Sequence, residues 1–132
     1  MLEIQRNGEE FNANVVWLSK NLKSKMSNFV TYGQHIYGLD NGILTCLDLH
    51  DGERRWKRGR YGHGQMLLVG DKLLIQAESG EIALVAASPE GHQEFAKFNA
   101  LFSKTWNNLA LAGNVLVVRN DREAAAFELP VN

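Results

Sequence analysis

Cysteine and proline are scarce in this chain of 132 residues. The single cysteine, Cys46, excludes an internal disulfide and a cysteine-based metal cluster. Because it lies within an apolar run, we predict a small buried side chain; a reactive thiol is the alternative. The two prolines, Pro89 and Pro130, fall outside the interiors of the predicted strands, since a sheet needs its N–H donors.

The chain also has no large excess of charge of one sign and no long hydrophobic run. The formal net charge is -1 and the lysines and arginines are scattered, so the sequence offers no basic field for nucleic acid. No apolar run approaches the roughly 18 residues of a membrane span, and Met1–Arg6 lacks the pattern of a signal peptide. We therefore expect a globular chain with no nucleic-acid partner and no membrane span; its compartment stays open.

The chain does contain a repeat with a period of about 40 residues. The segment Asp40–Leu44 matches Glu78–Ile82, and Trp17 lies 39 residues before Trp56. Glycines mark a further set of equivalent positions, Gly33, Gly70 and Gly113. Short apolar runs and Gly or Asp turns at this period are typical of β-propeller blades, small sheets that their neighbours must cover. We therefore predict an all-β chain, a partial β-propeller of about three four-stranded antiparallel blades.

The repeat divides the predicted propeller fragment, residues 1–132, into four parts. Residues 1–20 form the end of a blade, residues 28–58 and 64–98 form complete blades, and residues 105–130 form an incomplete last blade. The predicted strands cover residues 2–6, 11–18, 28–32, 35–40, 43–49, 53–58, 64–69, 72–78, 81–87, 92–98, 106–111, 114–119 and 123–129.

The segment 92–104 carries two conflicting patterns. Helical spacing is shown by its apolar residues Phe95, Phe98, Leu101 and Phe102. The register of the repeat instead predicts a strand over 92–98 followed by a loop. We predict the strand, because several independent matches support the repeat.

Neither the glycines nor the histidines form a catalytic or cofactor motif. Gly42 and Gly52 occupy turns that need a positive φ, and no GxGxxG or P-loop spacing occurs. Whole strands separate the turn-associated residues His35, His50 and His92, and no HxH, HExxH or GxSxG motif is present. We therefore predict no catalytic residues and no metal ligands.

Loop residues on one face of the predicted propeller form a candidate binding site. An aromatic pair, an imidazole and two amides would converge there, namely Tyr61, Trp106, His63, Asn107 and Asn28. Such a convergence predicts a binding funnel, and a sugar or polyphenol at Trp106 and His63 is one hypothesis for its ligand. The alternative is structural, with these side chains capping the core and satisfying loop backbones.

The first complete blade resembles the repeat of pyrroloquinoline-quinone-like (PQQ-like) β-propeller proteins. The family motif Asp-x-Gly-x-Leu-x-x-Leu-Asp-x-x-x-Gly-x-x-x-Trp appears here as Asn41-Gly42, Leu44, Leu47-Asp48, Asp51-Gly52 and Trp56. Residues 104–129 are similar to the last blade of secreted bacterial proteins of this family. The resemblance implies that Trp17 and Trp56 dock one blade on the next. It also implies structural roles for Asp48, Gly42 and Gly52.

The same resemblance implies an alternative function, a remnant or portion of a PQQ-dependent oxidoreductase. Quinone-dependent dehydrogenases of the family have a vicinal disulfide, a calcium site and a catalytic aspartate. Cys46 alone cannot form that disulfide, and no calcium-loop spacing is visible. The second blade also departs from the motif, with Ala86 in place of Asp48 and Phe95 in place of Trp56. We therefore predict no cofactor and a non-catalytic module for binding or protein–protein scaffolding, like the propeller subunit of the outer-membrane β-barrel assembly machinery.

The resemblance bears on assembly as well. Family propellers typically have eight blades, so this chain of about three resembles the C-terminal portion of one or a short version. Family members are often periplasmic or secreted. An open stack of blades leaves apolar faces and unpaired edges in water. We therefore predict a homo-oligomer, or a protein partner bound through the blade faces and edges.

Overall fold

The computed structural model describes residues 1–130; the last two residues of the predicted module 1–132 lie outside that range. Every secondary-structure element assigned in this range is a β-strand, so the predicted all-β class is confirmed. The strands are β1 (Leu2–Asn7), β2 (Glu10–Val15), β3 (Phe29–Tyr32), β4 (His35–Asp40), β5 (Ile43–Asp48), β6 (Arg54–Arg60), β7 (Gln65–Val69), β8 (Lys72–Gln76), β9 (Glu81–Ala86), β10 (Glu94–Asn99), β11 (Ala110–Ala112), β12 (Val115–Arg119) and β13 (Ala124–Glu128). Within the described residues, no helix is long and apolar enough to cross a membrane.

The strands form four antiparallel sheets in sequence order. Sheet I is the hairpin β1–β2, sheet II contains β3 to β6, sheet III contains β7 to β10, and sheet IV contains β11 to β13. Strands that pair within a sheet also follow one another in the chain, and none of these sheets closes into a barrel. The two four-stranded sheets correspond to the predicted segments 28–58 and 64–98.

The turn between β4 and β5 shows why the chain folds into hairpins. Asn41 and Gly42 connect the strands, and both have positive φ, 47° and 82°. A two-residue turn with positive φ at both positions matches the twist of the flanking strands, and Asn-Gly is a preferred sequence for it. Asp40 then pairs with Ile43, which sets the register of β4 on β5.

The ambiguous segment before residue 100 is a strand, as the repeat register predicted. In this strand, β10, Phe98 pairs with Ile82 of β9, and the register shifts between Glu94 and Ala96. A bulge of this kind interrupts the two-residue alternation of a strand. The irregular spacing of apolar residues therefore marks a bulge here and not a helix.

Sheet III has apolar cores on both of its faces. On β8, Leu73 and Ile75 pack with residues of sheet II, whereas Leu74 packs with residues of sheet IV. Adjacent side chains of a strand point to opposite faces, so one apolar run supplies both cores. This arrangement explains the continuous apolar run at 73–75.

Sheets I and IV are covered to a smaller extent. Every residue of β1 and β2 is exposed. Strand β12 alternates between exposed and buried residues, with Leu116 and Val118 in the core shared with sheet III. The stack of sheets II to IV therefore has an uncovered face on sheet IV.

Most strands lie within two residues of their predicted bounds, and two differ by three residues or more at one end. The predicted strand 11–18 ends at Val15, and Trp17 beyond it contacts sheet II. The predicted strand 106–111 begins only at Ala110, because residues 106–108 form a loop that lines a cavity. In both places tertiary contacts of an aromatic residue take precedence over strand pairing.

Candidate functional site

A cavity of about 500 Å³ lies where the chain enters the first strands of sheets II, III and IV. Most of its lining is polar: Met26, Asn28, Gln65, Trp106, Asn107, Asn108 and Arg119. We call it the amide cavity. Three of the five predicted binding residues, Asn28, Trp106 and Asn107, line it.

Three of the amides occupy one position of the repeat. Asn28, Gln65 and Asn108 each lie five residues before the glycine that marks the repeat. Each is therefore at, or just before, the first strand of its sheet. Stacked sheets direct equivalent positions towards a common region, so the cavity arises from the repeat and not from one loop.

Gln65 holds two of the surrounding loops together. Its side chain is buried, with Oε1 accepting the backbone N–H of Asn28 at 3.2 Å. Its Nε2 donates to the carbonyls of Met26 at 2.6 Å and Trp106 at 3.2 Å. A buried amide is costly unless it is hydrogen-bonded. These bonds therefore tie the loop before sheet II to the loop before sheet IV.

A second buried glutamine supports the loop before sheet IV. Gln76 is fully buried, and its Nε2 donates to the carbonyl of Asn107 at 2.6 Å. The hydrogen bonds of Asn28 and Asn107 within residues 1–130 use backbone atoms. Their side-chain amides are thus available to a ligand in the cavity.

Glu78 connects the loop before β7 with the loop before β11. Its carboxylate accepts the backbone N–H of His63 at 3.0 Å and the indole N–H of Trp106 at 2.9 Å. These two hydrogen bonds favour the charged form and hold the pKa of Glu78 below its ordinary value of 4.5. The backbone of Glu78 also bonds both loops, donating to Tyr61 and accepting from Thr105. The orientation of Trp106 therefore depends on one carboxylate.

Gly62 permits the close approach of that carboxylate. Its φ is 67°, and a Cβ at this position would lie 2.5 Å from Oε2 of Glu78. Any other residue would strain the backbone and displace the Glu78 side chain. The glycine thus has a role in the site that is independent of hairpin turns.

Trp106 is the aromatic group of the amide cavity. The residue is 42% exposed, and Nζ of Lys104 lies 4.7 Å from the ring centroid, within cation–π distance. A smaller cavity of about 210 Å³ is lined by Lys104, Trp106, Asn107 and Asp121. Trp106 therefore borders two cavities and leaves part of its ring open to a ligand.

Tyr61 and His63 do not line the amide cavity. Tyr61 lines a separate cavity of about 380 Å³ that it shares with Glu78. Its hydroxyl donates to Glu94 at 2.7 Å and lies 2.9 Å from Nε2 of His92. Burial first, and then the bond to Glu94, raise the pKa of Tyr61. His63 has a buried Nδ1 without a partner among residues 1–130. The five predicted residues are thus divided between two regions connected by Glu78.

The two tryptophans predicted to dock the blades lie between successive sheets. The indole N–H of Trp17 donates to the carbonyl of Leu49 at 3.1 Å, and that of Trp56 donates to Ser88 at 2.9 Å. In both pairs the acceptor is 32 residues further along the chain. Gly52, with φ of 73°, receives the Trp17 ring, since a Cβ there would lie 2.6 Å from it. The docking bond is therefore repeated from sheet to sheet.

The other residues assigned structural roles lie in turns. Oδ1 of Asp48 accepts the backbone N–H of His50 at 2.9 Å, which shapes the turn after β5. The carbonyl of Gly42 accepts the N–H groups of Tyr61 and Gly62. That contact fixes the loop leading from sheet II to sheet III.

The described residues offer no side-chain cluster for the calcium ion of a quinone–calcium centre. Within residues 1–130, no group of three or more His, Cys, Asp or Glu side chains could hold a metal ion. Cys46 is buried among residues of sheets II and III, and burial raises the pKa of its thiol to about 11. A buried neutral thiol is a poor nucleophile and a poor metal ligand at neutral pH.

Five residues of this region were not among the predicted binding residues: Met26, Gln65, Asn108 and Arg119 in the cavity lining, and Glu78 beside it. For Gln65 and Asn108 a signal existed, because they share the repeat position of Asn28. Arg119 ends β12 and Glu78 lies in the turn after β8, so neither belongs to the loops that precede first strands. Their contribution follows from how the sheets stack, which no local pattern reports.

Comparisons with known proteins identify no family for this chain. No family model matches it, and no curated protein is similar to it. Among solved structures, the crystal structure of the computationally designed Ika4 protein is similar, with a TM-score of 0.51 and 8% sequence identity. The match covers 89% of this chain and 99% of the designed one. At this identity the likeness concerns the fold alone.

Proposed function

We propose that this chain is a non-catalytic β-propeller module of the PQQ-like kind, which binds a ligand in the amide cavity or scaffolds a protein partner. The meeting of one repeat position, Asn28, Gln65 and Asn108, at one polar cavity supports it. Concave sites with an aromatic ring and a few placed polar groups are usual binding sites. The lining groups are amides, an indole, a thioether and a guanidinium, none of which acts as a general base at neutral pH.

The propeller arrangement is tested by the relation between sheets II, III and IV. Successive blades of a propeller are related by rotation about one axis. We expect a crystal structure to have such an axis beside the amide cavity, with β3, β7 and β11 innermost. The contact between β3 and β7 is consistent with this arrangement. Sheets stacked along a line without a common axis would count against the proposal.

Ligand binding is tested through Trp106. We expect its indole N–H and the side-chain amides of Asn28 and Asn107 to shift together and saturably in NMR spectra when a ligand fills the cavity. Glucose and gallate are suitable probes, because a sugar and a polyphenol both combine ring contact with hydrogen bonding. Asn107→Ala is expected to weaken binding about tenfold through the loss of one or two hydrogen bonds. The indole of Trp56, which donates to Ser88, is the internal control.

The same NMR experiment also distinguishes ligand binding from protein scaffolding. If neither probe produces saturable shifts, ligand binding in the amide cavity is rejected for these two classes. Protein scaffolding then remains, and the faces of the sheets become the relevant surface.

The alternative, a portion of a quinoprotein oxidoreductase, is tested with the cofactor. The absence of a metal-holding cluster within residues 1–130 disfavours it. We expect titration with PQQ and calcium together, followed by quinone absorbance, to give no saturable binding. Saturation at micromolar cofactor would reverse the order of the two functions.

A further inference from the structure

Sheet I is an amphipathic hairpin with an uncovered apolar face. The strand register places on this face the residues Leu2, Ile4, Ala13, Val15 and Phe11, with Arg6 at one end. The opposite face carries only polar side chains: Glu3, Gln5, Asn7, Glu10, Asn12 and Asn14. The apolar side chains are far from covered, with Ile4 62% and Phe11 69% exposed. Strict alternation indicates a sheet that is covered on one side only, and a lone hairpin is marginally stable in water.

Sheet IV also has an uncovered apolar face, but its side chains are small. Leu116 and Val118 pack in its core, so the alternate residues form an outer face. That face consists of small apolar residues: Ala110, Ala112, Val115, Val117, Ala124 and Ala126. Arg119 and Glu128 lie at its ends. Val115 is 40% and Val117 is 44% exposed.

We propose that the apolar face of sheet I in one molecule packs on the outer face of sheet IV in a second copy of this chain. Size complementarity supports it, because the large side chains of sheet I can fill the spaces between the alanines of sheet IV. Charge complementarity supports it too. Arg6 borders the apolar face of sheet I, and Glu128 borders the outer face of sheet IV.

The contact is head to tail, because the two faces are unlike. A heterologous contact of this kind propagates until it closes into a ring or continues as a filament. It repeats between molecules the face-to-face packing that joins sheets II, III and IV within one molecule. Arg119 is shared between the outer face of sheet IV and the amide cavity, but the apolar residues of both faces lie outside that cavity, and the inference does not depend on a ligand there.

The first experiment adds one charge to each face of the full chain. We expect the wild-type chain to be oligomeric by light scattering at micromolar concentration, and Ile4→Lys and Val117→Lys each to be monomeric. Gln5→Lys on the polar face of the same hairpin, and Gln93→Lys at an exposed position before β10, are the matched controls. Both controls are expected to keep the wild-type mass. Far-UV circular dichroism verifies that every variant is folded.

Mixing the two monomeric variants tests the head-to-tail geometry. Ile4→Lys retains an intact sheet IV, and Val117→Lys retains an intact sheet I, so an equimolar mixture is expected to form a dimer. A monomeric wild-type chain overturns the proposal. So does a folded Ile4→Lys or Val117→Lys variant that keeps the wild-type mass, or a mixture that stays monomeric.

A charge exchange tests the register of the contact. Glu128→Lys alone is expected to raise the dissociation constant about two- to fivefold, as for an exposed ion pair. The double variant Arg6→Glu with Glu128→Lys is expected to recover most of that loss, because the pair is restored with reversed signs. No recovery would reject this register of the two faces.

Discussion

Sheets I and III are built from the same kind of antiparallel hairpin but differ in how many of their faces are covered. In sheet III, Leu74 and Ile75 are buried on opposite faces. In sheet I every residue is exposed, including Ile4. Strand β8 has three consecutive apolar residues at its centre, whereas the first four residues of β1 alternate between apolar and polar. The pattern along a strand thus indicates how many of its faces are to be covered, and by what kind of neighbour.

Sheet I is attached to the rest of the molecule by the segment that follows it. Trp17 donates its indole N–H to Leu49 of sheet II's turn. The side chains of Ser19 and Asn21 both donate to the carbonyl of Gly52, at 3.0 and 3.1 Å. The hairpin is therefore held at its base, while both of its faces stay exposed.

Removing one isoleucine side chain from sheet III and one from sheet I is expected to give the largest difference in stability between the two sheets. Ile75→Ala leaves a cavity between sheets II and III and is expected to lower the free energy of unfolding by about 2–5 kcal/mol. Ile4→Ala, on an exposed face, is expected to change it by less than about 0.5 kcal/mol. Urea unfolding below the concentration of self-association measures both. Similar losses for the two variants would contradict the difference between the sheets.

Substituting Gly52, which faces the Trp17 ring, is expected to give the next largest loss of stability. Gly52 and Gly33 both have positive φ, so an alanine at either is expected to cost about 1–2 kcal/mol. Gly33 has open space around its Cβ position, whereas Gly52 faces the Trp17 ring. Gly52→Ala is therefore expected to cost about 1 kcal/mol more and to accelerate hydrogen exchange in β1 and β2. Equal effects of the two alanines would show that the Trp17 contact is dispensable.

Replacing each docking tryptophan by phenylalanine sharpens the comparison further. Trp56→Phe leaves the carbonyl of Ser88 without its donor and is expected to lower the global free energy of unfolding by about 1 kcal/mol. Trp17→Phe removes the equivalent bond to Leu49 but is expected to affect hydrogen exchange in sheet I alone, because sheet I has no buried core. A global loss from Trp17→Phe as large as that from Trp56→Phe would mean that sheet I contributes to the main core.

The smallest expected effect concerns Glu78, whose carboxylate joins the loops of sheets III and IV by hydrogen bonds. Among residues 1–130, sheet I has no such contact through a carboxylate to another sheet. The pKa of Glu78 is lowered in the folded state, so its contribution to stability is present above the unfolded pKa and is lost as the pH falls through the folded one. We expect the indole N–H resonance of Trp106 to titrate with a midpoint below 4.5. Glu78→Gln should abolish this titration, and Glu90→Gln, in the turn after β9, should not. A midpoint at or above 4.5 would contradict the hydrogen-bonding account.

Much of the fold was predictable because its signals are local. The positive φ demanded at Asn41 and Gly42 specifies a turn, and the repeat register placed a strand at 92–98 against the helical spacing of its apolar residues. The candidate site was predictable in part. Asn28 and Trp106 line the amide cavity, as their loop positions indicated. Tyr61 does not, because its hydroxyl is bound to Glu94 on a strand 33 residues away.

Local patterns were sufficient to place the strands, the turns and the alternation of β1, because backbone sterics and side-chain periodicity act over a few residues. The packing of distant sheets was needed to bring Glu78 between His63 and Trp106 and to add Arg119 to the cavity. Such contacts depend on the relative position of sheets far apart in sequence, which arises only when their apolar faces are buried together.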